Sequence, residues 1–171
     1  MGKMRSTHAG SSSSSWTVAS RRLPLRGSVA NLFLKPGHGS PMIAVQHVRA
    51  VERHGLEGDV SFGSARRQIL LVDTEMLARH RLEPGWIREN VTVTGFRVND
   101  LSPGTRLGVG AAVIEITSDC APCEYLDSIR PGLRGPMEGQ RGVLASVVKS
   151  GTIQVGDSLQ LLPPPASGCG V

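Results

Sequence analysis

Two cysteines three positions apart, Cys120 and Cys123, are the residues of this chain best suited to chemistry. Pro122 lies directly before the second thiol, and proline is favoured at the first position of a helix. A thiol at a helix start meets unpaired backbone N–H groups and the positive end of the helix dipole, and both stabilise a thiolate. We therefore predict that the pKa of Cys123 lies below that of a free thiol. The carboxylates of Glu124 and Asp127 oppose this effect, and the sequence leaves the balance open.

Other interpretations of these cysteines compete with a reactive thiolate. Most free cysteines are small buried hydrophobes. The Cys-x-x-Cys spacing also occurs in dithiol redox modules, although those motifs lie near the start of a βαβ pattern. A structural zinc site would need more ligands, so His47, His54 and His80 would have to converge on the cysteine pair. The total of three cysteines is odd, which argues against a disulfide framework and favours a reducing compartment.

Short strands and turns are predicted to position the cysteine segment. A strand over residues 112–117 leads into the segment, and a short helix follows it and ends at Pro131-Gly132. With 21 glycines and 11 prolines, the chain favours many short elements over long helices. Eight or so strands, two modest helices and no βαβ rhythm predict a mainly β protein, a closed or partly closed antiparallel β-barrel. Among the other predicted elements are a strand at 68–72, a helix capped by Asp73 or Thr74 that runs to about Leu82, a strand within 87–95, and a hairpin of 143–148 and 152–155.

The charge distribution separates a basic leading segment from the folded part. The chain has 171 residues, enough for one domain with a core, and a net charge of +5. Residues 1–51 contain seven Lys or Arg and no acid, so the remainder has twelve basic and fourteen acidic residues. No stripe of Arg and Lys with interleaved aromatics is present, so we predict no nucleic-acid partner. No apolar run approaches the roughly 18 residues of a membrane span, so no membrane association is predicted.

Both ends of the chain are predicted to lie outside the domain. Residues 1–27 are basic, Ser-rich and free of acids, which predicts a disordered extension or an expression remnant. The same composition is typical of an organellar transit peptide, and no secretory h-region is present. We therefore predict a cytoplasmic protein, with organellar targeting as the alternative. The domain is predicted at 28–162, followed by a Pro-rich tail at 163–171 in which Cys169 is an exposed thiol.

Several segments in order resemble the MOSC domain, a family named after the C-terminal domain of molybdenum-cofactor sulfurase. The resemblance spans roughly residues 28–162. No single segment is specific, but their order and spacing are. The segments are 55–59, 67–71, 88–93, 101–104, 107–110, Thr117, 122–123, 141–142 and 151–157.

The resemblance implies a β-barrel fold and a functional cysteine, which falls on Cys123. In the family this residue is thought to carry sulfur as a persulfide or to ligate the molybdenum of the pterin cofactor. Arg88 and Asn90 correspond to the segment that contacts the cofactor in relatives that bind it. Arginine suits the phosphate of the pterin through forked, charge-assisted bonds, and asparagine offers a donor and an acceptor to the pterin edge. The further candidates for the same pocket are Arg66, Arg67, Thr117 and Cys120.

The resemblance predicts a molybdenum-cofactor-binding or sulfur-carrier domain and leaves open whether it is an enzyme. Some relatives that bind the cofactor reduce N-hydroxylated compounds, and that role would need an electron-transfer protein as partner. A sulfur carrier would instead need a cysteine desulfurase, because these 171 residues include no aminotransferase-like region for pyridoxal phosphate. The alternatives are a Cys-x-x-Cys redox module and a non-catalytic binding protein whose partner uses the basic tail.

Overall fold

Short strands dominate residues 26–166, the part of the chain that the computed structural model describes. That part also contains two α-helices, α1 (Thr74–Arg79) and α2 (Tyr125–Ile129), and a 3₁₀ turn at Val98–Asp100. Its strands are β1 (Arg26–Leu34), β2 (Ile43–Val45), β3 (His47–Val51), β4 (Gly55–Leu56), β5 (Ile69–Asp73), β6 (Val91–Thr94), β7 (Arg106–Val109), β8 (Ala112–Asp119), β9 (Val143–Lys149), β10 (Gly151–Gln154) and β11 (Ser158–Leu161).

Seven of these strands close into a barrel in the order β11-β7-β8-β9-β5-β6-β1, with β11 pairing back onto β1. Strand β2 extends from β1, and β10, β3 and β4 form a small separate sheet. Closure pairs the first strand with the last, for example Arg26 with Gln160. The prediction of a mainly β, closed barrel with a few short helices is confirmed. No helix in residues 26–166 is long and apolar enough to cross a membrane.

Strand β5 is buried on both faces, which explains its continuous apolar sequence. Its residues Ile69 and Leu71 belong to the cluster that fills the barrel. The alternate residues Leu70 and Val72 belong to a second cluster, which includes side chains of α1 and α2. Successive side chains of a strand point to opposite faces, so a strand packed on both sides needs apolar residues at every position. The second cluster therefore holds the two helices against the barrel wall.

Two pairings differ from the sequence prediction. Residues 143–148 and 152–155 do not form a hairpin, because β9 pairs with β5 and β8 whereas β10 pairs with β3. The chain passes from β9 to the small sheet at Gly151, which pairs with Ala50. Only glycine fits at this position, because a Cβ on residue 151 would collide with the carbonyl oxygen of Ala111. Strands β5 and β6 pair in parallel across α1, so one βαβ unit interrupts the otherwise antiparallel barrel.

Two elements are shorter than predicted because of local backbone conformation: helix α1 ends earlier, and strand β6 begins later. Asp73 is the N-cap of α1 and accepts from the Met76 N–H, as predicted, but the helix ends at Arg79. Arg81 then has φ of 54°, a left-handed conformation that helices do not continue through. Arg88 has φ of 66°, so the strand predicted within 87–95 begins only at Val91.

The first strand begins two residues before the domain predicted at 28–162. Arg26 and Gly27, assigned to the tail, are the first residues of β1 and pair with β11. Residues 163–166 have no regular secondary structure. The predictions for residues 1–25 and for Cys169 fall outside the described residues.

Candidate functional site

Loops around β5 bring the predicted site residues together. At the level of Leu71, β1 ends and β6 begins on one side of β5, while β8 ends and β9 begins on the other. Arg88 precedes β6, Cys120 and Cys123 follow β8, and Arg67 precedes β5. Strand pairing therefore brings these loops together beside β5, although they are far apart in sequence.

A cationic pocket of about 480 Å³ opens among these loops. The volume lies within the range of small-molecule and cofactor sites. No aspartate or glutamate of residues 26–166 lines this pocket. Its ionisable lining side chains are Lys35, His38, Arg67, Arg88, Arg141 and Cys120.

Arg141 connects this pocket to Cys123. The guanidinium lines the pocket, and its Nη1 donates to the Cys123 Sγ at 3.1 Å and to the Ala121 carbonyl at 2.9 Å. Arg141 is buried, and its Nε has no partner among the described residues. Cys123 is exposed and does not itself line the pocket, so Arg141 is the residue that both lines the pocket and contacts the thiol.

The pKa of the Cys123 thiol lies below its ordinary value. Burial raises it, but the Tyr125 backbone N–H, the charge and hydrogen bond of Arg141, and the Leu126 N–H together lower it by more. The predicted effect of the helix start is thus confirmed, and the nearby carboxylates do not reverse it. The arginine is the contribution that the local sequence did not reveal.

Cys120 has a different environment from Cys123. It is 4% exposed, belongs to the second apolar cluster, which packs the helices against the barrel wall, and contributes to the pocket wall. Its Sγ lies 3.9 Å from the Ala121 carbonyl, a weak contact. The cysteine pair thus consists of one packed thiol and one exposed thiol. A dithiol role for the pair stays a prediction, which full activity of Cys120→Ser would contradict.

Arg88 is held in a fixed turn between α1 and β6. Its N–H donates to the Gly85 carbonyl, its Nη1 donates to the Ser40 carbonyl at 2.9 Å, and its guanidinium lies 5.8 Å from the Tyr125 ring centre. The buried carboxylate of Glu89 accepts from the Gly85 N–H and so supports the same turn. The guanidinium lines the cationic pocket and also a neighbouring groove of about 560 Å³.

Asn90 is buried below the pocket and does not line it. Its side-chain amide donates to the Phe33 carbonyl at 3.2 Å and to Asp59 Oδ2 at 2.8 Å, and its oxygen accepts from the Leu70 N–H at 3.1 Å. Protein groups thus use both its donors and its acceptor, and direct contact of Asn90 with a cofactor stays a prediction. Its visible role is to join the loops that carry the pocket residues.

The remaining predicted residues divide into one that lines the pocket and two that do not. Arg67 lines it. Thr117 lies on β8, and its hydroxyl oxygen is 2.8 Å from the Arg66 carbonyl and 3.1 Å from the Leu144 carbonyl, so it joins two segments next to the pocket. The side chain of Arg66 is exposed and is not part of the lining. Direct contact of Arg66 and Thr117 with a cofactor stays a prediction.

Three residues of the site were not singled out as site residues from sequence: Lys35, Asp59 and Arg141. Asp59 is buried and accepts from the Lys35 backbone N–H and from Asn90, both at 2.8 Å. Asp59 and Arg141 occur within segments that resemble the family, which was a signal for both. Lys35 lies outside those segments and had no signal.

Within residues 26–166 no group of three or more His, Cys, Asp or Glu side chains could hold a metal ion, so the structure gives the zinc hypothesis no site.

The fold and the site define a class of protein: a small closed β-barrel that presents a thiol of lowered pKa beside a cationic pocket. A sequence model of the MOSC domain matches residues 42–160, so the chain belongs to the MOSC domain family. This family is commonly related to the molybdenum cofactor. No curated protein sequence matches the chain.

Solved structures share the fold at low sequence identity. The YuaD protein from Bacillus subtilis is similar with a TM-score of 0.69 and 19% identity, over 80% of this chain and 95% of that one. YiiM from Escherichia coli has a TM-score of 0.64 and 23% identity, over 82% and 71% of the two chains. YiiM from Geobacillus stearothermophilus has a TM-score of 0.63 and 18% identity, over 82% and 77%.

Proposed function

We propose that the cationic pocket binds the molybdenum cofactor and that Cys123 is its protein ligand to the metal. The observation that supports this most directly is Arg141, which lines the pocket and donates to the Cys123 thiol. A single side chain thereby couples an anion-binding cavity to a thiolate. These are the two features that a phosphate-bearing pterin dithiolene with a soft metal requires.

The residues present fit such a group. Arg67, Arg88 and Arg141 can bind phosphate in forked geometry, and no acidic side chain among the lining residues competes with it. The Nε of Arg141 is a buried donor without a partner in residues 26–166, which costs free energy unless a ligand accepts from it. Asn90 and Asp59 keep the loops in register and so orient these cations. The bound cofactor would supply oxygen-atom and two-electron chemistry at the metal.

The activity that best suits this arrangement is reduction of N-hydroxylated compounds, with electrons from an electron-transfer protein. Cys123 would hold the metal, and its exposed position would give substrate access. The arginines of the pocket would hold the anionic part of the cofactor. Cys120 packs the wall of the pocket and excludes water from that side.

Metal and pterin analysis tests the binding proposal. Protein made in a host that synthesises the cofactor is expected to contain about one molybdenum per chain, and Cys123→Ala is expected to lose it. Arg49→Met is a matched control, because Arg49 is an exposed residue of the small sheet. Unchanged molybdenum in Cys123→Ala would reject ligation by this thiol, and absence of pterin from all variants would reject cofactor binding.

A sulfur-carrier role is the second candidate, and the exposed thiol with a lowered pKa favours it. The Cys123 thiolate would attack the outer sulfur of a desulfurase persulfide, and the desulfurase thiolate would leave. Incubation with a cysteine desulfurase and cysteine should then add one sulfur mass to the peptide containing Cys123. Addition to Cys120→Ser but not to Cys123→Ala is expected, and an unchanged peptide mass in the wild type would contradict this role.

A further inference from the structure

Lys35 is a cation of a different kind from the arginines of the pocket. It follows β1 directly, and its side chain lines the pocket together with Arg88 and Arg141. An arginine stays protonated under all ordinary conditions, whereas a lysine in a partly desolvated position can release and regain a proton. Lys35 is therefore, unlike the arginines, a basic group of this wall that can release a proton.

A buried network fixes the position of the Lys35 amine. Asp59 accepts from the Lys35 backbone N–H and from the Asn90 side chain, each at 2.8 Å. The Asn90 oxygen then lies 3.5 Å from Lys35 Nζ. Asn90 is 0% exposed and Asp59 is 5% exposed, so two buried polar residues hold the backbone and the tip of one lysine. Such support costs free energy and is typical of groups that must keep a defined geometry.

Burial favours the neutral form of Lys35. It lowers the pKa of the amine more than the charge of Asp59 raises it; of the smaller contributions, Arg88 and Arg141 lower the pKa and Cys120 raises it. His38 and Arg67 complete the ionisable lining of the pocket. An acid works best as a proton donor when its pKa approaches the working pH, and a lowered lysine pKa moves in that direction.

We propose that Lys35 is a further catalytic residue, which donates a proton to the oxygen atom that leaves the bound substrate. This rests on the reductive function proposed above. Conversion of N–OH to N–H and water takes two electrons and two protons. The electron-transfer protein supplies the electrons, and the Lys35 ammonium supplies one proton as the N–O bond breaks. The second proton comes from solvent, which also reprotonates the resulting amine.

Competitive acetylation of the amines tests the protonation behaviour without cofactor or turnover. The chain has three lysines, Lys3, Lys35 and Lys149, so peptide mass spectrometry can follow each one separately. The labelling rate of Lys35 against pH is expected to have its midpoint below that of the exposed Lys149. Limited access would lower the plateau of the Lys35 curve but not move its midpoint. Arg88→Met should raise the Lys35 midpoint, because it removes a neighbouring positive charge.

Kinetics of the cofactor-loaded protein test the catalytic role. Lys35→Met should keep its molybdenum and lose roughly a hundredfold or more in kcat, the usual contribution of general acid catalysis. Lys35→Arg preserves the charge without a usable proton, so it should remain slow and lose the basic limb of the pH profile. Full activity of Lys35→Arg would overturn the proposal, because charge alone would then suffice.

The outcomes separate this proposal from the function on which it rests. Equal labelling midpoints for Lys35 and Lys149 would reject proton donation by Lys35 even in a protein that reduces N-hydroxylated compounds. A lowered Lys35 midpoint in a molybdenum-containing protein that reduces none of them would reject the reductive function, and with it this proton donation. A cofactor-free protein with a lowered midpoint would reject cofactor binding instead.

Discussion

Replacement of Arg141 by methionine should make the Cys123 thiol less acidic. Arginine and methionine side chains are both long and unbranched near the backbone, so the change mainly removes the charge and the hydrogen bond of 3.1 Å to Sγ. Hydrogen bonds to charged groups contribute about 1.5–3 kcal/mol. Because the thiol is exposed, solvent screening should reduce this to about 1 kcal/mol. Since 1.36 kcal/mol corresponds to a factor of ten, the thiolate-to-thiol ratio should fall about fivefold.

Iodoacetamide alkylation measures this change, because the thiolate is the form that reacts. Fragment-ion mass spectrometry is needed to assign the label to Cys123, because Cys120 lies three residues away in the same peptide. At a pH well below the midpoint, Arg141→Met should react about fivefold more slowly than the wild type. The whole rate profile should shift to higher pH, and Arg49→Met should follow the wild-type curve.

The pH profile also separates electrostatics from disorder of the turn. Arg141 donates to the Ala121 carbonyl as well, so its loss could loosen the cysteine segment. A loosened segment would raise the plateau rate at high pH, whereas loss of thiolate stabilisation would move the midpoint upward. A midpoint that is unmoved or lower in Arg141→Met would refute the assigned role of this arginine.

Three further predictions concern stability. Burial raises the pKa of Glu89 in the folded protein. The free energy of unfolding should therefore fall as the pH rises from the ordinary glutamate range through that raised pKa. Glu89→Gln should flatten this pH dependence of the melting temperature and raise stability at pH 8. Asn90→Ala should lower the free energy of unfolding in urea by about 2–4 kcal/mol, because it leaves buried partners unsatisfied. Gly142→Ala should cost more than Gly104→Ala in the same assay: both have positive φ, but a Cβ at Gly142 would lie 2.4 Å from the Leu71 carbonyl oxygen, and one at Gly104 would meet open space. Equal costs for the two glycine variants would contradict the close approach.

The cysteine segment shows how far local sequence reaches. Pro122 and the following helical pattern predicted an N–H environment that stabilises a thiolate, and the Tyr125 and Leu126 N–H groups provide it. The Asp73 cap and the buried strand β5 were predicted in the same way. Each of these features depends on residues within about one helical turn or one strand of each other.

Features that depend on distant residues were missed or misplaced. Arg141 is 18 positions from Cys123, and Lys35 is 55 positions from Asn90. The predicted hairpin failed because Gly151 leads to a strand that pairs with β3, about a hundred positions away. The resemblance predicted Asn90 as a cofactor contact, which stays a prediction; the sequence did not indicate that pairing of β1 and β5 with β6 would bury its amide among Phe33, Asp59 and Leu70.

The sequence by itself determined that the chain is a β-rich domain with a thiol at a helix start, because residue spacing, caps and turn residues act locally. The tertiary structure decided which charges surround that thiol. Barrel closure and strand register bring Arg141, Lys35 and Arg88 to one pocket, and Asn90 and Asp59 next to Lys35. Electrostatic interactions depend on distance through space, so the pairing of strands, and not separation along the chain, sets the acidity of the thiol and of the lysine.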